Sequence, residues 1–373
     1  MKLLWVEMKK IMTSKSYIFY TLLILIFGFL NCQQIIEFNL NSEIYKDGEI
    51  VMNTNNKNII RNNIIEELEK EIGNNEFKTY QFGFLKVKNL NKKELSKVKD
   101  TFLKMKSTKD YNTFNKYKKT ISEYIGRGSS YSDENLHLFS KKAMNKEELR
   151  LEKQSIKNKD LYLGSYSRYY SDMMGIVLGI LPFFLGAYTF LLDSKSKAFE
   201  CIYVKKISSL KLISIRFIII ILLSFLPVLL FSIYFVLNLA SIHAISIQSL
   251  FIFYKILIMW TLPILMFSSA MGMLLTILLN SFIGCIVQIF IWFINLNIGS
   301  RNIEGIYGVL YIPRHNTLFN SIYFYNNFID FIVNRLIYFI VSVIIYIITI
   351  YLYSIKRRGI ISSGKIIRNR LKE

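Results

Sequence analysis

The chain has 373 residues, 52% of them hydrophobic, and a formal net charge of +21. A soluble domain disperses its apolar residues by helix or strand periodicity; here they fall in unbroken blocks, several reaching the about 20 residues that cross a bilayer core about 30 Å thick. The composition excludes an ordinary soluble enzyme, and because much of the positive charge flanks the apolar blocks it speaks for membrane topology rather than nucleic-acid binding.

In chain order, the opening "KLLWVEMKKIM" places Leu4, Met8, Ile11 and Met12 on one helical face, with Lys2, Lys9 and Lys10 supplying charge. Residues 1–16 read as a helix lying in the membrane interface, with Trp5 at headgroup depth; the alternative is a plain extension of the first span. The apolar run at 17–36 follows with no small-residue cleavage site, so it reads as a retained span rather than a signal peptide. Residues 37–172 hold no proline. Within them "RNNIIEELEKEIG" reads as a helix ending at Gly73, and "KTYQFGFLKV" as a strand. "NKKELSKVKDTFLKMK" reads as a helix with a capping box from Asn91 to Glu94 and an apolar face of Leu95, Val98, Phe102 and Met105. "NKEELRLEKQSIKNKDLYL" forms a further helix leading to the second span.

Further apolar runs lie at 173–192, 212–239, 250–279, 282–298 and 331–353. The expected fold is mainly α: a polytopic membrane protein with six transmembrane helices, a mostly helical extracytoplasmic domain at 37–172, a helical membrane region at 173–353 and a basic tail at 354–373. The positive-inside rule puts both termini and the loop 193–211 in the cytoplasm. The tyrosine-rich segment 299–330 then lies on the outer side before the last span, as an outer loop or dipping partly into the membrane where protein covers its backbone. Arg216 and Arg335 sit near span ends, where they can snorkel to water. Gln288, Asn295 and Asn297 are the polar residues of the fifth run, and Pro182, Pro227 and Pro263 permit kinks in spans two to four.

No catalytic constellation is legible. His137, His243 and His315 are far apart in sequence, and no metal-ligand spacing accompanies Cys32, Cys201 and Cys285, which read as small apolar fillers. "GIISSGKI" at 359–366 approaches a phosphate-binding loop but ends in Ile where a magnesium-binding hydroxyl is needed. The spans carry no carboxylate relay, with Asp193 and Glu200 placed outside the hydrocarbon. The chain therefore reads as a non-enzyme with no cofactor of its own, drawing energy from a partner. The docking candidate is "DSKSKAFECIYVKKISSLK": as a helix from Ser196 it puts Phe199, Ile202 and Tyr203 on one side, with Glu200 and the lysines elsewhere. The alternative for this segment is a merely basic topogenic loop.

The run from Arg168 to Phe217 resembles the second-span, loop and third-span region of ABC-2 type exporter permeases, through Arg168, Asp172, Pro182, Asp193, Glu200, Ile202, Tyr203, Ile207, Ser208, Ser209 and Lys211. Many members have Pro-Ser-Arg where this chain has Ile207-Ser208-Ser209. The resemblance implies a bacterial plasma-membrane permease subunit whose 193–211 loop is a coupling helix for a separate ABC ATPase subunit. Phe199, Glu200, Ile202, Tyr203, Ile207, Ser208 and Lys211 would be the contact residues. It also implies pairing with a second permease chain, contact with membrane lipid and no binding of nucleic acid. A reading of a different class is a membrane sensor or scaffold whose outer domain binds a ligand.

Overall fold

The computed structural model describes residues 2–36, 51–54, 56–81, 84–195, 202–203, 205–301 and 310–358. It is mainly helical and divides into two compact units, one built on residues 43–151, the other holding the apolar helices.

The smaller unit runs β1 (Val51–Asn53), α3 (Lys57–Asn74), β2 (Phe77–Gln81), β3 (Phe84–Lys88), α4 (Lys92–Ser107), α5 (Tyr111–Ile125), a 3-10 turn (Asp133–Phe139) and β4 (Lys141–Ala143). The helices start where short polar side chains satisfy the first free N–H groups. Asn56 and Asp110 cap α3 and α5, and Asn91 with Glu94 forms the expected reciprocal capping box on α4. α3 ends one residue beyond Gly73, with Asn75 in the left-handed conformation. The side chain of Asn75 then exchanges hydrogen bonds with the Leu90 backbone, at 3.0 and 3.1 Å, and so closes the base of the hairpin. The single strand expected from "KTYQFGFLKV" is an antiparallel pair, β2 with β3, in register Phe77 to Lys88. A period of two cannot by itself show where a run doubles back. Val98, Phe102 and Met105 join Ile64, Leu68, Phe77, Phe114 and Ile121 in one core, with Leu95 at its edge. Gly128 has φ +80°, and a Cβ there would run into the Tyr80 carbonyl, so only glycine fits.

In the larger unit, α1 (Lys2–Met12) and α2 (Lys15–Ile36) precede α7 (Leu163–Leu178) and α8 (Leu181–Lys195); α6 (Lys146–Ser155), which begins in the smaller unit, and a π turn (Ile156–Asp160) lead in. Then come α9 (Ser209–Leu239), α10 (Ile247–Leu279), α11 (Gly284–Arg301), α12 (Ser321–Asn326) and α13 (Phe328–Arg357). Among the described residues five helical stretches are long and apolar enough to cross a membrane: 15–36, 163–193, 209–239, 247–279 and 328–357. Gly284–Asn297 is apolar but shorter. This is a multi-pass membrane protein of mainly α class. The second span begins at Leu163, about three turns before the apolar run suggested. Its first turns carry Arg168 and Asp172, polar residues that a hydropathy window rejects but that are fully buried by neighbouring helices.

Helix breaks in this unit are repaired by side chains. Pro227 has no N–H to give the Leu223 carbonyl and disturbs the next turn. The Tyr17 hydroxyl donates to Leu223 at 3.1 Å and Tyr20 to Ser224 at 2.8 Å, which also seats α2 against α9. At the break between α7 and α8, Gln288 donates to the Gly179 carbonyl at 2.6 Å and Trp292 to Ile176 at 2.8 Å. The Tyr311 hydroxyl lies 3.1 Å from the same Gly179 oxygen. In a low-dielectric surround an unpaired carbonyl costs several kcal/mol, about what these side chains avoid.

One expectation is corrected. Arg216 and Arg335 do not reach water; both are buried, one in ion pairs and the other on backbone carbonyls. On α1, Glu7 and Ile11 are buried, while Leu4, Trp5 and Met12 are exposed. The apolar face is thus split, because Glu7 finds a buried cation.

Asn91→Ala is expected to cost about 1 kcal/mol, read as faster amide exchange across 92–107. Glu71 is buried, accepting from Tyr131 at 2.8 Å and the Lys78 N–H at 3.1 Å. Burial lifts its carboxyl above the ordinary range despite those bonds. The folded unit therefore binds this proton more tightly than the unfolded chain, and stability falls as pH rises through that window. Glu71→Gln should resist thermolysin better than the wild type at pH 8, with the gap narrowing towards pH 5.

Candidate functional site

The segment between α8 and α9 is fixed at both ends by a four-membered charge node. Asp193, at the end of α8, accepts Lys10 Nζ at 2.6 Å on one oxygen and Arg216 Nη2 at 2.6 Å on the other. Arg216, on α9, also donates to Glu7 at 2.9 Å and stacks over the Phe190 ring. Two acids meet two bases, so the node is neutral. Only Lys10 is substantially exposed. Three elements, α1, α8 and α9, converge on it, because Glu7 and Lys10 lie one turn apart on α1.

Of the residues expected to make the docking site, Phe199 and Glu200 lie outside the described residues. Ile202 and Tyr203 have helical backbone and are half-buried. Tyr203 sets its ring edge-on to Tyr353 of α13, centroids 5.9 Å apart. Its carbonyl accepts Arg357 Nε at 3.1 Å and Nη2 at 3.0 Å. The same guanidinium donates to the Lys205 and Ile207 carbonyls. Ser208 is the N-cap of α9, accepting the Lys211 N–H at 3.2 Å; Lys211 itself is exposed. Tyr203 and Ile207 are thus drawn together beside α13, with Ile202 next to them in the chain, while Ser208 and Lys211 begin the next helix.

Sequence reading missed Glu7, Lys10, Arg216 and Arg357 as members of this site. One signal was available: Glu7 is the one acid in an otherwise basic amphipathic helix. Arg357 carried none, since a basic residue closing a span is ordinary topogenic charge.

A second buried polar cluster fastens the 310–326 stretch to α7. Arg168 pairs with Asp160, and Tyr325 donates to the same carboxylate at 2.9 Å. Asp172 accepts Arg314 at 2.7 Å and the Asn316 N–H at 2.7 Å. The carboxylate that a hydropathy reading left out of the spans is therefore present but bound in an ion pair. Glu152 receives the Ser321 and Ile322 N–H groups at the start of α12. His315 lies 2.9 Å from the Phe319 carbonyl, and burial together with the Arg168 charge pushes its imidazole down to about 3. His243 meets the Tyr166 hydroxyl at 3.0 Å. Cys32 and Cys285 are free thiols. No group of three or more His, Cys, Asp or Glu residues placed to hold a metal occurs among the described residues. The near phosphate loop and Cys201 lie outside those residues.

No family model matches this sequence, and neither the curated proteins nor the solved structures contain a match to it.

Arg216→Ala strands Glu7 as a buried anion, leaves Asp193 with Lys10 alone and should cost about 3–5 kcal/mol, whereas Lys10→Met, at the exposed rim, should cost about 1 kcal/mol or less. Retention of the monodisperse peak after graded heating would measure both.

Proposed function

We propose that the chain is the membrane-spanning permease subunit of an ATP-driven ABC exporter, with separate ATPase subunits docking on the 193–211 segment. The supporting observation is the way this segment is held. The charge node fixes its two ends to α1, α8 and α9, and Arg357 ties its middle to α13. A short segment anchored to four helices is a place where a partner's push moves many helices together. A topogenic loop needs charge alone and no such anchorage.

In this reading α11 is a short fifth span that brings the number to six, the termini and the 193–211 segment are cytoplasmic, and the unit 43–151 is extracytoplasmic. Leu4, Trp5 and Met12, exposed on α1 with Lys9 over the Trp5 ring at 5.0 Å, face lipid at the membrane interface. Six spans form half of a pathway, so the chain pairs with a second permease chain. Nucleotide binding and hydrolysis on the ATPase alternate the inner faces of the paired helices. Lipids, amphiphiles and peptides are the cargo class that such a membrane-embedded path accommodates.

The test is purification of the tagged chain in mild detergent with mass spectrometry of its companions. A stoichiometric ATPase carrying its own phosphate-binding loop is the expected result. A clean chain without one, unchanged by added nucleotide and lipid, would replace this reading with that of a sensor or scaffold working through the unit 43–151. Glu200→Arg should weaken ATPase association while leaving membrane insertion intact. Cysteine labelling should reach residues 57–143 from outside the cell only.

A further inference from the structure

The last helix, α13, is gripped by an arginine at one end and by another two turns in from the other, and each grip takes in the backbone of an irregular segment. At one end Arg357 donates to the Tyr203, Lys205 and Ile207 carbonyls. Towards the other, Arg335 donates to Leu310 at 3.1 Å, Tyr311 at 3.2 Å and Trp260 at 3.2 Å, and Asn334 adds a bond to Leu310 at 3.1 Å. The Tyr311 hydroxyl in turn meets the carbonyls of Gly179, at the break between α7 and α8, and of Ile264 beside Pro263. The two arginines are separated by about 33 Å of helix at 1.5 Å per residue.

What lies between them is suited to carry displacement. Residues 328–357 contain neither glycine nor proline. Each other stretch of this unit that spans or nearly spans has one: Gly28 in α2, the 179–180 break and Pro182 at α7–α8, Pro227 in α9, Pro263 in α10 and Gly284 in α11. Ser342 and Thr349 bond back to carbonyls of α13 itself. Its outer face is apolar and exposed, with Ile332, Leu336, Ile340, Ile344 and Ile347, so that face holds no polar anchor to resist sliding. Towards the Arg357 end, Tyr346 stacks on Phe217 of α9 with centroids 4.9 Å apart and meets the Ser214 hydroxyl, so α9 is fastened to α13 there.

We propose that α13 is a strut, with Arg357 and Arg335 as positioning residues, that couples the 203–207 segment mechanically to the 310–311 segment and through Tyr311 to the α7–α8 break. The force on its near end is the partner's under the permease reading, and to that extent the proposal rests on it. The coupling itself belongs to the chain alone, so the test uses no ATPase and the two ideas fail separately. A population shift at one end must then bias the other, and reciprocally.

Hydrogen exchange with mass spectrometry on the full-length chain in lipid nanodiscs reads this directly. Arg357→Ala should speed exchange roughly five- to tenfold at 202–207 and also at 310–316, with the helices of the 43–151 unit unchanged. Arg357→Lys keeps the charge but gathers its donors on one nitrogen, which cannot span the carbonyls met by Nε, Nη1 and Nη2, so it should give a smaller rise at both places; it also serves if the alanine variant does not fold. Adding Ile344→Gly, on the exposed face midway, should soften the rod and abolish the distant response while leaving the local one. A rise confined to 202–207 in both Arg357 variants would overturn the strut, as would a uniform rise through every helix or a distant response that survives Ile344→Gly.

Discussion

The larger unit depends on one constraint: a backbone carbonyl freed inside an apolar assembly must find a donor there, because no water will supply one. Breaks at Pro227, at 179–180 and around 310–311 each expose such oxygens. Tyr17 and Tyr20, Gln288 and Trp292, and Arg335 with Asn334 meet them. Each repair also brings two elements together, so the same bonds that permit irregular backbone set the helix packing. Close approach does the rest: a Cβ at Gly272 would clash with the Phe183 carbonyl of α8.

Charge follows the same logic. Glu7, Lys10, Asp193 and Arg216 form one neutral group, and Arg168 with Asp160 and Arg314 with Asp172 form two neutral pairs. Such pairs add little net stability over apolar residues of equal size, but breaking one is expensive, and they fix which segments meet. Both clusters join segments distant in sequence: α1 to α8 and α9, and α7 to residues 314–316.

The fold was legible where a local rule decides it. The Asn91–Glu94 box, the apolar face of α4 and the length of the apolar blocks each follow from neighbouring residues, and the structure keeps them. What was not legible depends on partners far along the chain. Asp172 and Arg168 lower the hydropathy of the start of α7, so the second span looked shorter than it is. Arg216 and Arg335 looked able to reach water because their carboxylate and carbonyl partners come from other helices. The candidate segment was found from its composition and its place between two spans. Its anchorage was not, since no feature of "SIKR" distinguishes a clamp from ordinary topogenic charge.

The grip of Arg357 on 203–207 is made to carbonyl oxygens, which every residue type presents alike. This part of the anchorage is therefore blind to side chains. Lys205 and Lys206 can be exchanged without loosening it, provided that the three carbonyls keep their places, whereas Tyr203 adds a ring contact of its own with Tyr353. Attachment rests on main-chain atoms, so the exposed side chains of Lys205 and Lys206 can vary while the mount beneath them stays the same.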